Sequence, residues 1–170
     1  IKHEFSNSKF INMVRDNRDV LLSQKNKWRR KFLGAKKIPL FESMRSYANY
    51  HPITTSIVWN SSLKLTKKFD GSPNFYILRF EDFLTSNKEK CMDLCKFLDL
   101  DFQYEMLNIY NIGSSNMNDE KEKKIDVTKI NKWKKGKLSK SEIYLAQIFS
   151  KSLMTDFNYK TKAFILPPLF

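Results

Sequence analysis

Two arginines stand directly after short apolar runs of the kind that form buried strands. Arg15 follows the run at residues 9–14, and Arg79 follows the run at residues 75–78. In an open α/β sheet, ligands bind beyond the carboxyl ends of the strands, and a guanidinium fork fits phosphate oxygens. Ser23 lies eight residues after Arg15, where its hydroxyl can donate one further hydrogen bond. These residues predict a phosphate site at the carboxyl edge of a sheet.

The charge of the chain also indicates an anionic ligand or partner. The formal net charge is +13 at pH 7, with a sequence pI of about 9.7. Residues 25–37 hold seven basic residues and no acid, and residues 121–140 hold nine basic residues. Such clusters suit a ligand with several phosphates, and they suit nucleic acid equally well.

Helices are predicted around these strands. A helix over residues 18–33 is expected to turn Leu21, Trp28 and Phe32 towards the core, and a second is expected to bury Val58, Ser62, Leu65 and Phe69. Capping-box patterns begin two more helices, at Ser86 and Ser139. Their expected inward residues are Cys91, Leu94, Cys95 and Leu98 in the first and Leu145, Ile148, Phe149 and Leu153 in the second.

Alternating strands and helices predict an α/β layer fold in one domain, residues 1–170. Two strands cannot form the sheet that so many amphipathic helices need to cover. We therefore expect the chain to be a partial domain whose remaining strands precede Ile1. The two cysteines are four residues apart on one helical face, so they are expected to be core thiols rather than a disulfide.

The string from Val14 to Ser23 closely resembles the 3′-phosphate-binding segment of the sulfotransferases that use 3′-phosphoadenosine-5′-phosphosulfate (PAPS). In that family a strand ends in Arg, an Asp/Asn-Pro-Arg/Lys-Asp turn follows, and a Ser comes eight residues after the Arg. Asn17 stands where the family usually has proline. We expect this difference to loosen the turn without removing a ligand.

Two further segments resemble the same family, in the family's order. Residues 78–84 are similar to its strand ending in Arg-Tyr-Glu-Asp-Leu, where the aromatic residue packs on adenine, and Phe80 holds that position here. The Ser-rich loop at residues 112–116 and the Trp-containing basic segment after it are similar to elements that close over the nucleotide. Lys135 matches the family's Arg-Lys-Gly phosphate clamp, although the register through Trp133 matches a different branch.

The resemblance implies a three-layer, P-loop-NTPase-like parallel sheet flanked by helices, with PAPS as donor and no metal. It implies transfer of a sulfuryl group to a hydroxyl or amine acceptor, with this chain on the 3′-phosphate and adenine side. The 170 residues contain no string like the family's Pro-Lys-Ser/Thr-Gly-Thr segment, which cradles the 5′-phosphosulfate. The nucleotide-binding residues implied are Arg15, Ser23, Phe80, Ser114, Ser115 and Lys135.

Several points stay open on the sequence alone. No residue is assigned as catalytic base: His3 is too close to the Arg15 strand, and His51 is followed by Pro52 in a turn. Tyr47, Tyr50, His51 and Trp59 are placed for acceptor contacts without identifying the acceptor. The chain could also be an inactive relative, or a basic nucleic-acid module. We disfavour the module because Trp28 and Phe32 fall at core-facing spacing.

The sequence also limits where the chain works. Charges interrupt every apolar run, so no membrane segment is expected. The lack of a disulfide framework favours a cytoplasmic location slightly. Oligomeric state is not indicated.

Overall fold

A computed structural model divides the chain into two compact units and describes residues 8–29, 32–33, 36–108 and 125–164. The sheet unit comprises the described parts of residues 1–15, 63–111 and 121–127, and the helical unit those of 16–62, 112–120 and 128–170. The elements are β1 (Phe10–Val14), α1 (Asn17–Lys25), β2 (Phe32–Leu33), β3 (Lys36–Lys37), α2 (Leu40–Ala48), α3 (Pro52–Phe69), β4 (Phe75–Arg79), α4 (Phe80–Thr85), α5 (Asn87–Leu98) and α6 (Lys140–Asp156).

The two predicted strands form the parallel pair at the centre of the sheet unit. β1 lies beside β4 in a register that sets Phe10 opposite Phe75 and Val14 opposite Arg79. Val14 and Leu78 are buried near the carboxyl ends of the strands. The crossover between them contains α3, as parallel strands require. The prediction of an α/β fold with a parallel sheet is confirmed.

One face of β1 is more exposed than the sequence predicted. Ile11 and Met13 are 44% and 50% exposed, whereas Asn12, on the opposite face, hydrogen-bonds Thr66 of α3. The apolar run indicated a strand covered on both faces. Among the described residues, only the face carrying Asn12 and Val14 is well covered, so the prediction of full burial is wrong for Ile11 and Met13.

Helix α5 follows the predicted pattern, but its start differs. Cys91 and Cys95 are buried as free thiols on its inner face, and burial raises the pKa of the Cys91 thiol. The side chain of Ser86 makes no capping hydrogen bond, so the capping box predicted there is not formed. Ser86 is also the residue that ends α4, where its N–H donates to the Asp82 carbonyl, and this double role prevents the usual cap geometry.

In the helical unit, α1 is shorter than predicted. It ends at Lys25, and Asn26 is its C-cap, whose backbone N–H and side-chain amide both donate to the Leu22 carbonyl. Trp28 then lies in a 3₁₀ turn, exposed and packed edge-on against Tyr47 at 5.6 Å. The predicted helix over residues 18–33 is therefore wrong beyond Lys25, and so is the core-facing position of Trp28.

A short hairpin and a helix that the sequence did not indicate follow α1. β2 and β3 pair antiparallel, and α2 then begins after Pro39. None of the α2 residues is buried. Its apolar side chains remain on the surface, so core-facing periodicity does not indicate this helix. The exposed apolar residues are Leu40, Phe41, Met44 and Tyr47.

Helix α3 is present as predicted but buries a different face. The buried stripe is Ser56, Trp59, Leu63 and Thr66, while Val58, Leu65 and Phe69 are exposed. Two buried positions are hydroxyl residues; the Ser56 hydroxyl, for example, donates to the Pro52 carbonyl at 2.8 Å. A pattern read from apolarity alone selected the neighbouring face for this reason.

Helix α6 shows a confirmed cap and another shifted face. The Ser139 hydroxyl accepts from the Glu142 N–H, and the Glu142 carboxylate accepts from the Ser139 N–H, which completes the predicted capping box. Of the four residues expected inward, only Leu153 is buried; Ile148 and Phe149 are exposed. Its buried residues are Ile143, Ala146, Gln147, Ser150, Leu153 and Met154.

Candidate functional site

Arg15 and Phe80 meet at the carboxyl edge of the parallel pair. Because Val14 and Arg79 are the last paired residues of β1 and β4, the residues that follow them lie side by side. The Arg15 guanidinium carbon is 4.5 Å from the centre of the Phe80 ring, and both side chains are half-buried. This cation–π contact holds a guanidinium next to an aromatic ring at the edge where ligands of such sheets bind.

Arg79 is fixed at the same edge by the first turn of α4. Its Nη1 lies 3.2 Å from Asp82 Oδ1, three residues along the chain. Arg79 is also the residue that precedes α4, whose first turn carries Glu81 and Asp82. The ion pair therefore stabilises the turn that places Phe80.

The turn between β1 and α1 is a buried network within the helical unit. Asp16 accepts from the Arg18 N–H at 2.8 Å and caps α1, and its carboxylate also pairs with the Arg18 guanidinium at 2.6 and 2.9 Å. Arg18 donates further to Gln147 Oε1. Since both charges are buried, removing either one would leave the other uncompensated.

Asn17 holds this turn in place, contrary to the expectation that it would loosen it. The residue is completely buried, and its side-chain nitrogen lies within hydrogen-bond distance of three acceptors. These are the Ser56 hydroxyl of α3 and the Ala146 carbonyl and Ser150 hydroxyl of α6. A carboxamide thus connects three helices at a position where proline could offer no donor.

The other sequence-predicted residues are placed as follows. Ser23 lies half-buried in α1 of the helical unit, whereas Arg15 belongs to the sheet unit. Lys135 is exposed just after the 3₁₀ turn Lys132–Lys134. Ser114 and Ser115 lie outside the described residues.

Comparison with known proteins decides the family. A family model described as a sulfotransferase domain matches residues 2–163. The chain belongs to the sulfotransferase family.

Two solved structures show the same fold. The sulfotransferase domain from the Synechococcus PCC 7002 olefin synthase is 19% identical, with a TM-score of 0.61 over 91% of this chain and 50% of that one. The sulfotransferase domain from the curacin biosynthetic pathway is 20% identical, with a TM-score of 0.52 over 92% of this chain and 56% of that one. This chain therefore spans about half the length of either structure. No curated protein gives a significant match.

The residues that the sequence suggested for acceptor contacts in this sulfotransferase chain have other partners. Trp59 is buried and packs near Tyr159, with 6.5 Å between the ring centres, so the suggestion is wrong for its ring. The Tyr50 hydroxyl donates to Glu142 at 2.7 Å, while Tyr47 is exposed. Tyr47 and His51 are exposed, and acceptor contact by these two residues stays a prediction.

Glu142 joins Tyr50 and Lys25 in a charged cluster. Burial would raise the pKa of the Glu142 carboxyl, but hydrogen bonds from Lys25, Tyr50 and the Ser139 N–H outweigh it and hold that pKa below its usual value. Burial, followed by the hydrogen bond to Glu142 and its negative charge, raises the pKa of the Tyr50 phenol. The cluster therefore keeps Glu142 ionised and Tyr50 protonated near neutral pH.

The sequence did not indicate which residues hold Trp133 and the basic segment that contains it. Trp133 is buried beneath the Arg18 guanidinium, which lies 3.9 Å from the ring centre. The backbone N–H of Trp133 donates to the Asp19 carboxylate at 2.8 Å. Arg18 and Asp19 lie in the same turn as Arg15, but their partner Trp133 is more than one hundred residues away along the chain, so no local pattern indicates the contact.

Within the described ranges, no cluster of three or more His, Cys, Asp or Glu side chains could hold a metal ion. No helix in those ranges is long and apolar enough to cross a membrane.

Proposed function

We propose that this chain works in PAPS-dependent sulfuryl transfer to a hydroxyl or amine acceptor and supplies the 3′-phosphate and adenine side of the donor site. The observation that carries the proposal is the contact between Arg15 and Phe80 at the carboxyl edge of β1 and β4. A guanidinium and an aromatic ring side by side match the two features of such a nucleotide, a phosphate and a base.

The proposed reaction is a direct displacement at sulfur. The acceptor oxygen or nitrogen forms a bond to sulfur while the bond from sulfur to the 5′-phosphate oxygen breaks. The acceptor loses its proton, and adenosine 3′,5′-bisphosphate leaves with the electron pair of the broken bond. Positive charge near the nucleotide stabilises the negative charge that builds up on the leaving group.

Three features of the chain support the donor assignment. Arg15 is half-buried, so its guanidinium is partly shielded from water, which strengthens hydrogen bonds to phosphate oxygens. Ser23 lies inside α1, a helix whose ends are fixed by Asp16 and Asn26. Lys135 and the lysines around it are exposed and available to an anion. We assign Ser114 and Ser115 to the same nucleotide on the sequence resemblance.

Calorimetric titration with adenosine 3′,5′-bisphosphate and with AMP tests the roles of Arg15 and Phe80. Arg15→Ala is expected to weaken bisphosphate binding about tenfold or more, the value of a charge-assisted hydrogen bond, and to change AMP binding much less. Phe80→Leu is expected to weaken the binding of both nucleotides. Phe80→Tyr retains an aromatic face for stacking and should keep the wild-type affinity for both.

Arg45→Ala is the matched control, because Arg45 is an exposed arginine of α2 paired with Glu42. It removes the same charge as Arg15→Ala and should leave both affinities within about twofold, as exposed charges are screened by salt. If Arg45→Ala and Arg15→Ala weakened bisphosphate binding equally, the specific role of Arg15 would be rejected.

A nucleic-acid role is the second candidate, and the position of Trp28 favours it more than the sequence did. Trp28 is exposed, and the guanidinium of Arg29 lies 5.1 Å from its ring. An aromatic ring flanked by Lys27 and Arg29 can stack on a base beside a phosphate. Strong, steeply salt-dependent binding of single-stranded oligonucleotides, with weaker binding of mononucleotides, would support this role instead.

A further inference from the structure

The segment Lys132 to Lys137, here called the basic strap, is fastened along one face of α1. Arg18 covers the ring of Trp133, and Asp19 accepts a hydrogen bond from the backbone N–H of Trp133. Further along the helix, Lys25 Nζ donates to the Lys137 carbonyl at 2.7 Å. Arg18, Leu22 and Lys25 follow one another at four and three residues, the spacing of a single helical face.

Gly136 lies against Leu22 of α1. A Cβ atom added to Gly136 would lie 2.5 and 2.9 Å from the terminal carbons of Leu22 and 3.1 Å from the Lys132 carbonyl oxygen. Leu22 is itself buried, so its side chain has little room to move away. An added Cβ atom would therefore have to displace either the Leu22 side chain or the strap.

The basic strap has an inner and an outer side. Trp133 is buried and Gly136 is half-buried against α1, whereas all four lysines are exposed. Those lysines are Lys132, Lys134, Lys135 and Lys137. The strap therefore presents a row of positive charge from a backbone that is fixed on its opposite side.

Ser23 is carried by the same helix, one residue beyond Leu22. A helix of nine residues behaves as one rigid piece about 13 Å long. The docking of the strap on α1 thus fixes the lysine row relative to the Ser23 hydroxyl.

We propose that Asp19 and Gly136 are positioning residues, which hold the basic strap on α1 so that its lysines act with Ser23 on the 3′-phosphate. This inference rests on the proposed function, since it assumes that a 3′-phosphate binds here. Neither positioning residue touches the nucleotide; both act through the strap.

Gly136→Ala tests the inference without changing any charge. The added methyl lifts the strap, so the Trp133 amide, which donates to buried Asp19, is expected to exchange about tenfold faster or more in hydrogen-exchange experiments. Affinity for adenosine 3′,5′-bisphosphate is expected to fall about tenfold, while affinity for AMP changes little. The ratio of the two affinities is the readout that a general loss of stability would not move.

Gly71→Ala is the control for general destabilisation. Gly71 has a φ of +78° and open space around its Cβ position, so alanine strains a turn but meets no other group. This variant should leave both the Trp133 exchange rate and the affinity ratio unchanged. An equal fall of the ratio in Gly71→Ala and Gly136→Ala would overturn the inference.

Asp19 gives a second pair of variants. Asp19→Ala removes the acceptor for the Trp133 N–H and should reproduce the effect of Gly136→Ala, whereas Asp19→Asn keeps an oxygen there and should retain most of the bisphosphate affinity. If Asp19→Asn lost as much bisphosphate affinity as Asp19→Ala, a positioning role through this hydrogen bond would be rejected.

The outcomes separate this inference from the proposed function. Wild-type binding of the bisphosphate, with an unchanged affinity ratio in Gly136→Ala, would overturn the positioning role alone. An unchanged exchange rate at Trp133 in that variant would overturn the claim that Gly136 seats the strap. Absence of bisphosphate binding by the wild-type chain would overturn the proposed function and the inference together, while hydrogen exchange would still report whether the strap is docked.

Discussion

At the scale of single residues, polar side chains in this chain replace apolar ones at several buried positions. Asn17 connects α1 with α3 and α6, and Gln147 accepts from Arg18 while exchanging hydrogen bonds with the backbone of Lys162. Each such residue is costly to bury unless its partners are in place. Stability of the helical unit therefore depends on specific partners, and the cluster of Glu142, Lys25 and Tyr50 makes part of it depend on pH.

Glu142→Gln is expected to reduce the loss of stability at acidic pH. The pKa of Glu142 is lowered by folding, so its contribution is present above the usual carboxyl pKa of about 4.5 and is lost as pH falls through that value and below. Glutamine keeps the capping box but carries no charge. The substitution should therefore lower the free energy of unfolding by about 1 kcal/mol at pH 7 and by much less near pH 3.

Urea unfolding between pH 3 and pH 7 measures this difference, with Glu89→Gln as control. Glu89 is an exposed carboxylate in the first turn of α5, outside the helical unit. A gap between wild type and Glu142→Gln that stayed constant with pH would show that the charge of Glu142 does not contribute.

At the scale of elements, the sequence predicted types and order well and faces poorly. Both strands, α3, α5 and α6 were expected, because apolar runs and caps are local signals. The inward faces of α3 and α6 were wrong because four polar residues on them are buried, and each bonds at least one residue far away along the chain. The four are Ser56, Thr66, Ser150 and Gln147. Such tertiary pairs leave no local periodicity.

The positions of the candidate-site residues could be predicted to a similar extent, and their role in binding stays a prediction. The edge position of Arg15 and Phe80 follows from strand ends, which the sequence marks clearly. The docking of Trp133 and Gly136 on α1 joins residues more than one hundred positions apart, so no spacing rule could indicate it. The end of α1 at Lys25 was missed because the apolar spacing of Leu21, Trp28 and Phe32 continues past it in the sequence.

The corrected face of α3 can be tested with two adjacent substitutions. Trp59→Ala is expected to destabilise the protein by about 3–5 kcal/mol, because Trp59 is buried beside Tyr159. Val58→Ala should change stability by less than about 0.5 kcal/mol, because Val58 is exposed. Chemical denaturation measures the free energy of unfolding of both variants. Comparable losses of stability would instead support the buried face that the apolar pattern indicated.

At the scale of the whole molecule, the positive charge suits an anionic ligand, and family membership supports the proposed nucleotide. The chain carries a net charge of +13 and matches the sulfotransferase domain model over residues 2–163. Long-range attraction of this size draws in any polyanion. The 3′-phosphate is therefore the discriminating group, since AMP and adenosine 3′,5′-bisphosphate share the base and the 5′-phosphate but differ there.

The most direct test of the account is the ratio of affinities for adenosine 3′,5′-bisphosphate and AMP in the wild-type chain, measured by calorimetry at two salt concentrations. The account predicts that the bisphosphate binds about tenfold tighter or more, and that the preference persists at the higher salt because partly buried groups are screened less than exposed ones. Equal affinities, or a preference that disappears with salt while oligonucleotides bind more tightly than either nucleotide, would contradict it.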